Sequence, residues 1–221
     1  MQQQPYLIVG LGNPGPDYAG HRHNVGFMAV DALAEALSAE PFSKKFHGEI
    51  AAAELTIPRR AEGRVSPASP LKLFLLKPHT YMNHSGRAVQ AAAAFYKIPP
   101  AQIIVLQDEI DLGVGKLRIK QGGGANGQNG IRDIDAAIGP DYWRIRLGIG
   151  RPPHGTVHSH VLSNFSKDEQ SDLEKILAAL AQHFAVFFSH SPAALMSKVS
   201  EATQPPREKN AKPVDKAQPA N

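Results

Sequence analysis

The 221-residue sequence contains no cysteine, and this absence excludes several kinds of chemistry. A chain without thiols forms no disulfide bond, offers no thiolate ligand to a metal ion and has no cysteine nucleophile. The sequence also lacks the G-x-S-x-G pattern that surrounds a serine nucleophile. Covalent acyl-enzyme chemistry is therefore not supported.

The N-terminal segment MQQQPYLIVGLGNPG has no basic region and only a short apolar stretch. That stretch is too short for a secretion signal or a membrane span, and it predicts a first β-strand instead. We therefore expect a cytoplasmic protein, a setting with which the absence of cysteine is compatible.

The formal net charge of +4 and the pI near 9.3 point weakly toward an anionic partner. Part of the excess lies in the last 19 residues, which hold four Lys or Arg and two Asp or Glu residues. Because residues 201–221 are proline-rich and nearly free of large apolar side chains, they predict a disordered tail. A solvated tail is favoured over a specific RNA-binding arm.

Short apolar or alternating runs predict β-strands at YLIVG, LKLFLL, IIVLQ, KLRIK and RIRLGIG. The segments FHGEIAAAELTI and LKLFLLKP are expected to pair as a long hairpin through a proline- and charge-rich loop at residues 58–70. Apolar periodicity predicts a helix after Asn24, which is its expected N-cap, and another that begins near Ser85. Further helices are predicted at NGIRDIDAAIG, DEQSDLEKILAALAQHFAVFFSH and SPAALMSKV.

Helices alternate with strands along the chain, but several strands follow one another without a crossover. This pattern predicts a single α/β domain with a mixed, twisted β-sheet and helices on both faces. Polar loops follow or adjoin the strands at residues 10–24, 77–86, 107–113 and 120–130. If these loops meet at one end of the sheet, they form a neutral, amide-lined cleft suited to hydrolysis of a neutral carbonyl group.

The run Gly10–Gly15 fits the dinucleotide-binding pattern G-x-G-x-x-G, and Glu35 lies at a suitable distance after it. That motif needs a helix that begins inside the glycine run, so that the helix N-terminus meets the pyrophosphate. Here Pro14 and Pro16 predict a turn, and helical periodicity begins only near Asn24. The nucleotide-binding interpretation is therefore disfavoured.

His23 is the candidate general base, because histidine titrates near neutral pH and lies here between a glycine-rich turn and a helix. A histidine on a surface loop is the alternative. Asp108 follows a buried apolar strand, and a buried carboxylate needs a partner such as an imidazole N–H. Glu109 or Asp111 remains possible as the partner of His23, and Asp108 remains possible as the cap of a turn.

Asn13, Asn83 and Asn129 offer amide donors and acceptors without charge, which suits binding of a peptide or ester carbonyl. Each is also typical of a turn, where asparagine is favoured for local backbone reasons. Gly122–Gly130 permit close approach of the backbone to a ligand, or plain flexibility.

His154, His158 and His160 have the composition of a metal site, but no acidic or cysteine ligand lies near them in the sequence. We therefore expect no metal ion.

Three basic residues lie on or beside the strands that border the glycine loop: Lys120, Arg144 and Arg146. Strand alternation puts Arg144 and Arg146 on one face, where they either bind a phosphate or form part of a solvated sheet surface.

Four segments resemble, in order, the signature segments of bacterial-type peptidyl-tRNA hydrolases: LIVGLGNPGPDYAGHRHNVGF, LKPHTYMNHSG, QDEIDLGVGKLRIKQGGGANGQNGIRD and WRIRLGIGRP. The resemblance spans roughly residues 6–195, without the tail and the loop at 58–70. It implies that residues 1–200 form one catalytic domain. It also implies hydrolysis of the ester that joins a peptide to the 3′ end of tRNA, without metal or cofactor.

The same resemblance implies a role for individual residues. His23 matches the base that activates water, Asp108 matches the carboxylate that orients this histidine, and Asn13 matches the position that distinguishes peptidyl from free aminoacyl esters. Five residues match substrate-binding positions: Tyr18, Tyr81, Met82, Asn83 and Asn129. Lys120 and Arg146 match basic residues that are proposed to hold a tRNA phosphate. The implied partner is peptidyl-tRNA, bound through its acceptor end and phosphate backbone, and nothing demands more than a monomer.

Two positions depart from the family pattern. Gln128 stands where well-known members carry histidine, and glutamine hydrogen-bonds but does not titrate. Tyr81 replaces a common phenylalanine and keeps the stacking face. The alternatives of another class are a noncatalytic RNA-binding protein on the same scaffold and a generic esterase.

Overall fold

The computed structural model describes residues 4–61, 64–67 and 70–204. Its strands are β1 (Tyr6–Gly10), β2 (Ser43–Lys45), β3 (Gly48–Leu55), β4 (Pro58–Ala61), β5 (Arg64–Pro67), β6 (Leu71–Pro78), β7 (Ile103–Glu109), β8 (Leu117–Gln121) and β9 (Trp143–Gly148). Its α-helices are α1 (Val25–Ala36), α2 (Ser85–Tyr96), α3 (Asn129–Ile138), α4 (Val157–Val161), α5 (Lys167–His183), α6 (Val186–Ser189) and α7 (Pro192–Thr203).

Seven of these strands form one mixed sheet in the order β2-β3-β6-β1-β7-β9-β8. The four central strands β6, β1, β7 and β9 are parallel. On one side β3 pairs antiparallel with β6 and β2 pairs antiparallel with β3, and on the other side β8 pairs antiparallel with β9. The continuous apolar runs of β1 and β7 form central strands because a strand covered on both faces has no polar side. The predicted α/β fold with a mixed sheet is confirmed.

Helices cover both faces of the sheet, as predicted. Successive residues of β1 alternate between two cores: Ile8 belongs to the core beneath α1, α5 and α7, whereas Leu7 and Val9 belong to the core beneath α2 and α3. Parallel strands joined by crossover helices are normally buried in this way on both sides. The sheet therefore holds the loops at its carboxyl edge on a rigid support.

The predicted long hairpin is present, because β3 and β6 pair antiparallel from Gly48↔Pro78 to Leu55↔Leu71. The intervening segment, expected as a loop at 58–70, contains a small two-stranded sheet of its own, in which β4 pairs with β5.

The last helix, α7, ends at Thr203, three residues beyond the boundary expected at residue 200. The tail prediction therefore fails for residues 201–203, and from residue 205 onward it lies outside the described residues. Across the part of the chain that the structure describes, no helix is long and apolar enough to cross a membrane.

Candidate active site

Loops after β1, β6 and β7 meet at the carboxyl edge of the sheet, and they enclose a cleft of about 620 Å³. Ligands of open α/β sheets bind outside this edge, because the loops there converge from neighbouring strands. Eight of the ten residues proposed from the sequence line the cleft: Asn13, Tyr18, His23, Tyr81, Met82, Asn83, Asp108 and Asn129. Lys120 and Arg146 do not line it.

The glycine loop reaches the cleft by a different path from the other three. Since β8 is antiparallel to β9, with Gln121 opposite Trp143, the loop leaves β8 at the opposite edge of the sheet. It returns along the sheet, where Gly124 O accepts a hydrogen bond from Arg144, and it ends with Gln128 beside Asp108. The condition that the four loops meet at one end of the sheet is therefore met by only the last residues of this loop.

A larger groove of about 1070 Å³ borders the other side of loop 79–84. It contains none of the ten proposed residues; its lining includes Lys44, Lys45, His79, His84 and Arg87.

His23 and Asp108 are in direct contact in the cleft. His23 lies in a short 3-10 turn before α1, and its Nδ1 is 2.9 Å from Oδ2 of Asp108 near the end of β7. The Asp108 side chain is only 4% exposed, so its charge needs the hydrogen bonds that it receives. If Nδ1 is protonated and donates a hydrogen bond to Asp108, Nε2 is left as an acceptor.

The other two carboxylates that the sequence left open as partners of His23 are used elsewhere. Glu109 Oε2 accepts a hydrogen bond of 3.0 Å from Arg146, and Glu109 is 5% exposed. Asp111 accepts a hydrogen bond of 2.7 Å from Arg151 Nε on the surface. Among the three candidates, Asp108 is therefore the partner of His23.

The turn that carries His23 is anchored through its buried neighbour Arg22. The Arg22 guanidinium donates to Glu169 at 2.8 and 2.6 Å and lies 4.9 Å from the centre of the Phe165 ring. These hydrogen bonds from Arg22 hold the pKa of Glu169 down at about 2. Because the Arg22 backbone N–H also donates to Ser163 O, the turn is fixed to the segment before α5.

Asn13 is held by three hydrogen bonds that determine the orientation of its amide. Its backbone N–H and C=O pair with the side chain of Asn24 at 3.0 and 2.9 Å, and its Oδ1 accepts from the Met82 backbone N–H at 3.0 Å. Since Oδ1 is the acceptor in this network, Nδ2 remains as a donor in the cleft.

Asn24 does not have the predicted capping role. It occupies the N-cap position of α1, but its side chain makes no capping hydrogen bond, because both of its amide atoms bind the backbone of Asn13. Ser85 is the first residue of α2, and its hydroxyl donates to Met82 O.

Two aromatic rings and two further amides form the rim of the cleft. The rings of Tyr18 and Tyr81 lie edge to face with centroids 6.4 Å apart, and Tyr81 is 57% exposed. Tyr81 has φ of 55°, a strained value for a bulky residue, and such strain is concentrated at functional sites. Asn83 is exposed, and exposed Asn129 begins α3 with its Oδ1 accepting a hydrogen bond from Arg132.

The basic residues bordering the glycine loop differ in their surroundings. Arg144 is 1% exposed and binds Asp135 at 2.8 Å and Gly124 O at 3.0 Å, so it is neither a solvated residue nor a free phosphate ligand. Arg146 is paired with Glu109. Lys120 is half-buried, with its Nζ against Gly123, and it makes no ion pair within residues 4–61, 64–67 and 70–204.

The three histidines between residues 154 and 160 have separate surroundings. His158 lines the cleft, whereas His160 Nε2 lies 2.8 Å from Gly150 O. In the described part of the chain, no group of three or more His, Cys, Asp or Glu side chains is arranged to hold a metal ion.

The glycines of the G-x-G-x-x-G run serve the packing of α1. A Cβ at Gly10 would overlap the backbone of Gly26, and a Cβ at Gly12 would overlap the ring of Phe27. Helix α1 begins only at Val25, after two 3-10 turns, and not inside the glycine run. The dinucleotide-binding motif requires a helix that begins inside the glycine run, and this requirement is not met here.

Sequence reasoning did not place several residues in the cleft, although Gln128 and His158 were noted for other reasons. Gln128 is 9% exposed and contacts Asp108, and one wall is formed by Val157, His158, Val161 and Leu162. The glycine loop predicted close approach of the backbone to another group. No local pattern, however, connected Gln128 with the strand that carries Asp108, 20 residues earlier. The apolar spacing of Val157 and Val161 was the signal for the short helix α4.

Known proteins are similar to this chain over most of its length. A family model for peptidyl-tRNA hydrolase matches residues 7–209. The peptidyl-tRNA hydrolase of Rhodospirillum rubrum is 51% identical over 214 residues, which cover 96% of this chain and 82% of that protein. That of Methylobacterium nodulans is 47% identical over 199 residues, which cover 90% and 92%. The crystal structure of peptidyl-tRNA hydrolase from Acinetobacter baumannii is 35% identical, with a TM-score of 0.74 over 90% of this chain and 96% of that chain.

These matches extend over nearly the whole chain and include the loops that build the cleft. The chain therefore belongs to the peptidyl-tRNA hydrolase family, whose enzymes hydrolyse peptidyl-tRNA.

Proposed function

We propose that this chain hydrolyses the ester between peptide and tRNA by attack of a water molecule that His23 activates, without a cofactor. The products are free peptide and free tRNA, so the reaction recycles tRNA from abortive translation. The observation that carries this mechanism is the 2.9 Å contact between His23 Nδ1 and Asp108 Oδ2 inside an amide-lined cleft.

Asp108 accepts the Nδ1–H of His23, and Nε2 then removes a proton from water. The water oxygen attacks the ester carbonyl, while Asp108 stabilises the imidazolium through the same hydrogen bond. The imidazolium returns the proton to the ribose 3′ oxygen as the carbon–oxygen bond breaks. General acid–base catalysis of this kind contributes roughly 10²–10⁴-fold to the rate.

The side-chain amides of the cleft support the negative charge that develops on the carbonyl oxygen. Asn83 and Asn129 line the cleft, where their amides can donate to this oxygen or to the peptide. A well-positioned donor of this type contributes about 10²–10³-fold. An ester is already activated relative to an amide, so a base and such donors suffice.

Asn13 gives the preference for peptidyl over free aminoacyl esters. Its free Nδ2 donor fits the carbonyl oxygen of the first peptide bond. A free aminoacyl ester presents an ammonium group at this place, which only donates hydrogen bonds and finds another donor opposite it.

Phosphate contacts hold the tRNA outside the cleft, where they position the RNA while the cleft recognises the ester. We assign the principal contact to Lys120, whose charge is not matched by a described ion pair. Arg146 shares its charge with Glu109 at 3.0 Å and contributes less.

We also propose that the enzyme works as a monomer in the cytoplasm, since its substrate arises there in translation and one chain supplies every residue of the site. The noncatalytic RNA-binding alternative is not favoured, because the matched relatives are named as hydrolases and His23 and Asp108 are in contact.

The deciding experiment measures peptide release from purified peptidyl-tRNA. His23→Ala should lose activity by about 10²-fold or more, because it removes the base. His190→Ala is the matched control, since His190 is exposed after α6 and, among the described residues, its side chain bonds only Ser189. Normal turnover by His23→Ala would contradict the mechanism.

A further inference from the structure

Asp108 receives a hydrogen bond on each of its two carboxylate oxygens. His23 Nδ1 lies 2.9 Å from Oδ2, and Gln128 Nε2 donates to Oδ1 at 3.0 Å. Both Asp108 and Gln128 are buried. The mechanism described above uses the first of these contacts and leaves the second unexplained.

The orientation of the Gln128 amide is fixed by the helix that follows it. Gln128 is the N-cap residue of α3, and its Oε1 accepts a hydrogen bond of 3.0 Å from the Ile131 backbone N–H. With Oε1 used as the cap, Nε2 must point the other way, toward Asp108 Oδ1 and toward Met82 Sδ at 3.2 Å.

Together with covalent links inside Met82 and between His23 and Asn24, these hydrogen bonds complete a closed ring through the loops of the cleft. The ring runs from His23 to Asp108, Gln128 and Met82, whose backbone N–H donates to Asn13. It returns to His23 through Asn24, the next residue in the chain, which pairs with Asn13. Gln128 is the member that connects the glycine loop and α3 to this ring.

We propose that Gln128 is a positioning residue for the reaction: it holds the Asp108 carboxylate in the rotamer that orients His23, with a donor that does not titrate. The proposal rests on the proposed roles of His23 and Asp108. Without the Gln128 donor, the buried Oδ1 of Asp108 would lack a hydrogen-bond partner. A carboxylate in that state is stabilised by rotation toward another donor. Rotation would weaken the contact that keeps the proton on His23 Nδ1.

Other titratable groups around the pair come from each neighbouring element. His23 faces Asp108 from the turn before α1, Glu109 is its chain neighbour and is paired with Arg146, and His158 lines the cleft from α4. Tyr18 and Tyr81 line the cleft from the loops after β1 and β6. These groups are the same in the variants below, so the change at residue 128 can be isolated.

Gln128→Glu tests the proposal, because it keeps the side-chain size and an oxygen for the Ile131 cap but replaces the donor with a carboxylate oxygen. At pH 7.5, kcat for peptidyl-tRNA should fall about tenfold to hundredfold, while KM stays close to the wild-type value. Loss of a residue that orients a functional side chain typically has an effect of this size. Two carboxylates this close bind a shared proton more readily than one does, and the protonated variant regains a donor. The ratio of variant to wild-type kcat should therefore rise as the pH is lowered toward 5.5.

Gln128→His supplies a conservative variant, since its ring N–H can donate to Asp108, and its kcat should stay closer to wild type than that of Gln128→Glu. Ser191→Ala controls for a general loss of stability at a helix N-terminus, because Ser191 caps α7 away from the cleft. It should lower the melting temperature without changing kcat.

Three results would each overturn the positioning role: unchanged kcat in Gln128→Glu, a deficit that is the same at every pH, or a deficit that simply follows the melting temperature. Failure of the wild-type enzyme to release peptide would instead contradict the proposed function itself.

Discussion

At the scale of single residues, His23 and Asn13 each use one side-chain atom to hold the fold and leave the other for substrate. His23 Nδ1 is bound to Asp108, and Asn13 Oδ1 is bound to the Met82 backbone N–H. Neither His23 Nε2 nor Asn13 Nδ2 has a hydrogen-bond partner among the described residues. In each side chain, the hydrogen bond made by the first atom therefore determines whether the free atom donates or accepts.

This division makes a sharp prediction for Asn13→Asp. The carboxylate can still accept from the Met82 N–H, but its second oxygen accepts hydrogen bonds where Asn13 Nδ2 donates. The variant should repel the peptide carbonyl and attract the ammonium of a free aminoacyl ester. We expect the ratio of kcat/KM for peptidyl-tRNA to that for aminoacyl-tRNA to fall by tenfold or more, since a hydrogen bond involving a charged group contributes about 1.5–3 kcal/mol.

Asn126→Asp is the matched control for this measurement. Asn126 also lines the cleft, but the described residues show no link between its side chain and Met82. It adds the same charge at the rim and should change the ratio much less. Equal effects from the two variants would remove the selectivity role of Asn13.

His23 and Asp108 could be proposed from the sequence because each carries a local signal. One lies between a glycine turn and a helix, and the other follows a buried strand. The roles of Arg22 and Gln128 could not be predicted in this way, since their partners Glu169 and Asp108 are 147 and 20 residues away. Asn24 illustrates the same limit, because its local capping preference is overridden by Asn13, 11 residues earlier.

At the scale of elements, hydrophobic periodicity was sufficient to predict α1, α2 and the central strands, whose burial follows their apolar pattern. The single helix predicted at DEQSDLEKILAALAQHFAVFFSH is instead divided into α5, which ends at His183, and α6, which begins at Val186. It could not predict the path of the glycine loop, because alternation does not reveal whether β8 runs with β9 or against it. The β4–β5 pair was missed for a different reason: proline and charge are typical of loops.

The link between α5 and the turn of His23 predicts a specific pH dependence of stability. The folded-state pKa of Glu169 is lowered to about 2 from its ordinary 4.5, first by the hydrogen bonds from Arg22. Its contribution is therefore fully present above about pH 4.5 and is lost as the pH falls toward 2. Glu169→Gln should lower the free energy of unfolding at pH 7 by roughly 1–2 kcal/mol, less than the full pKa shift implies, because solvent screens the pair.

Urea unfolding at pH 7 and pH 3 checks this prediction, and the difference between wild type and Glu169→Gln should shrink at pH 3. Glu174→Gln, at an exposed position of the same helix, is the control and should show no such trend. A difference for Glu169→Gln that is independent of pH would mean that packing, and not charge, holds the turn.

At the scale of the whole molecule, one sheet brings together residues that are distant in sequence, and its two covered faces leave the carboxyl edge as the place for chemistry. The resemblance of four ordered segments predicted this arrangement better than composition did. The net charge of +4 says only that an anionic partner is favourable, and it does not identify which cations contact that partner.

The salt dependence of substrate binding separates the possible sources of that attraction. Residues 205–221 carry a net charge of +2, which is half of the total. For a chain ending at Gln204 we nevertheless expect the wild-type salt slope, which is the change of log KM for peptidyl-tRNA with the logarithm of the salt concentration. Lys120→Ala should raise KM and reduce the slope by about one, because one phosphate contact is lost. Lys175→Ala, at an exposed position of α5, is its control.

A minimal N-blocked aminoacyl ester without the tRNA body should be hydrolysed equally by all of these proteins. A larger loss of slope on truncation than in Lys120→Ala would make the tail an RNA-binding arm, because only cations that contact phosphate release counterions when the tRNA binds.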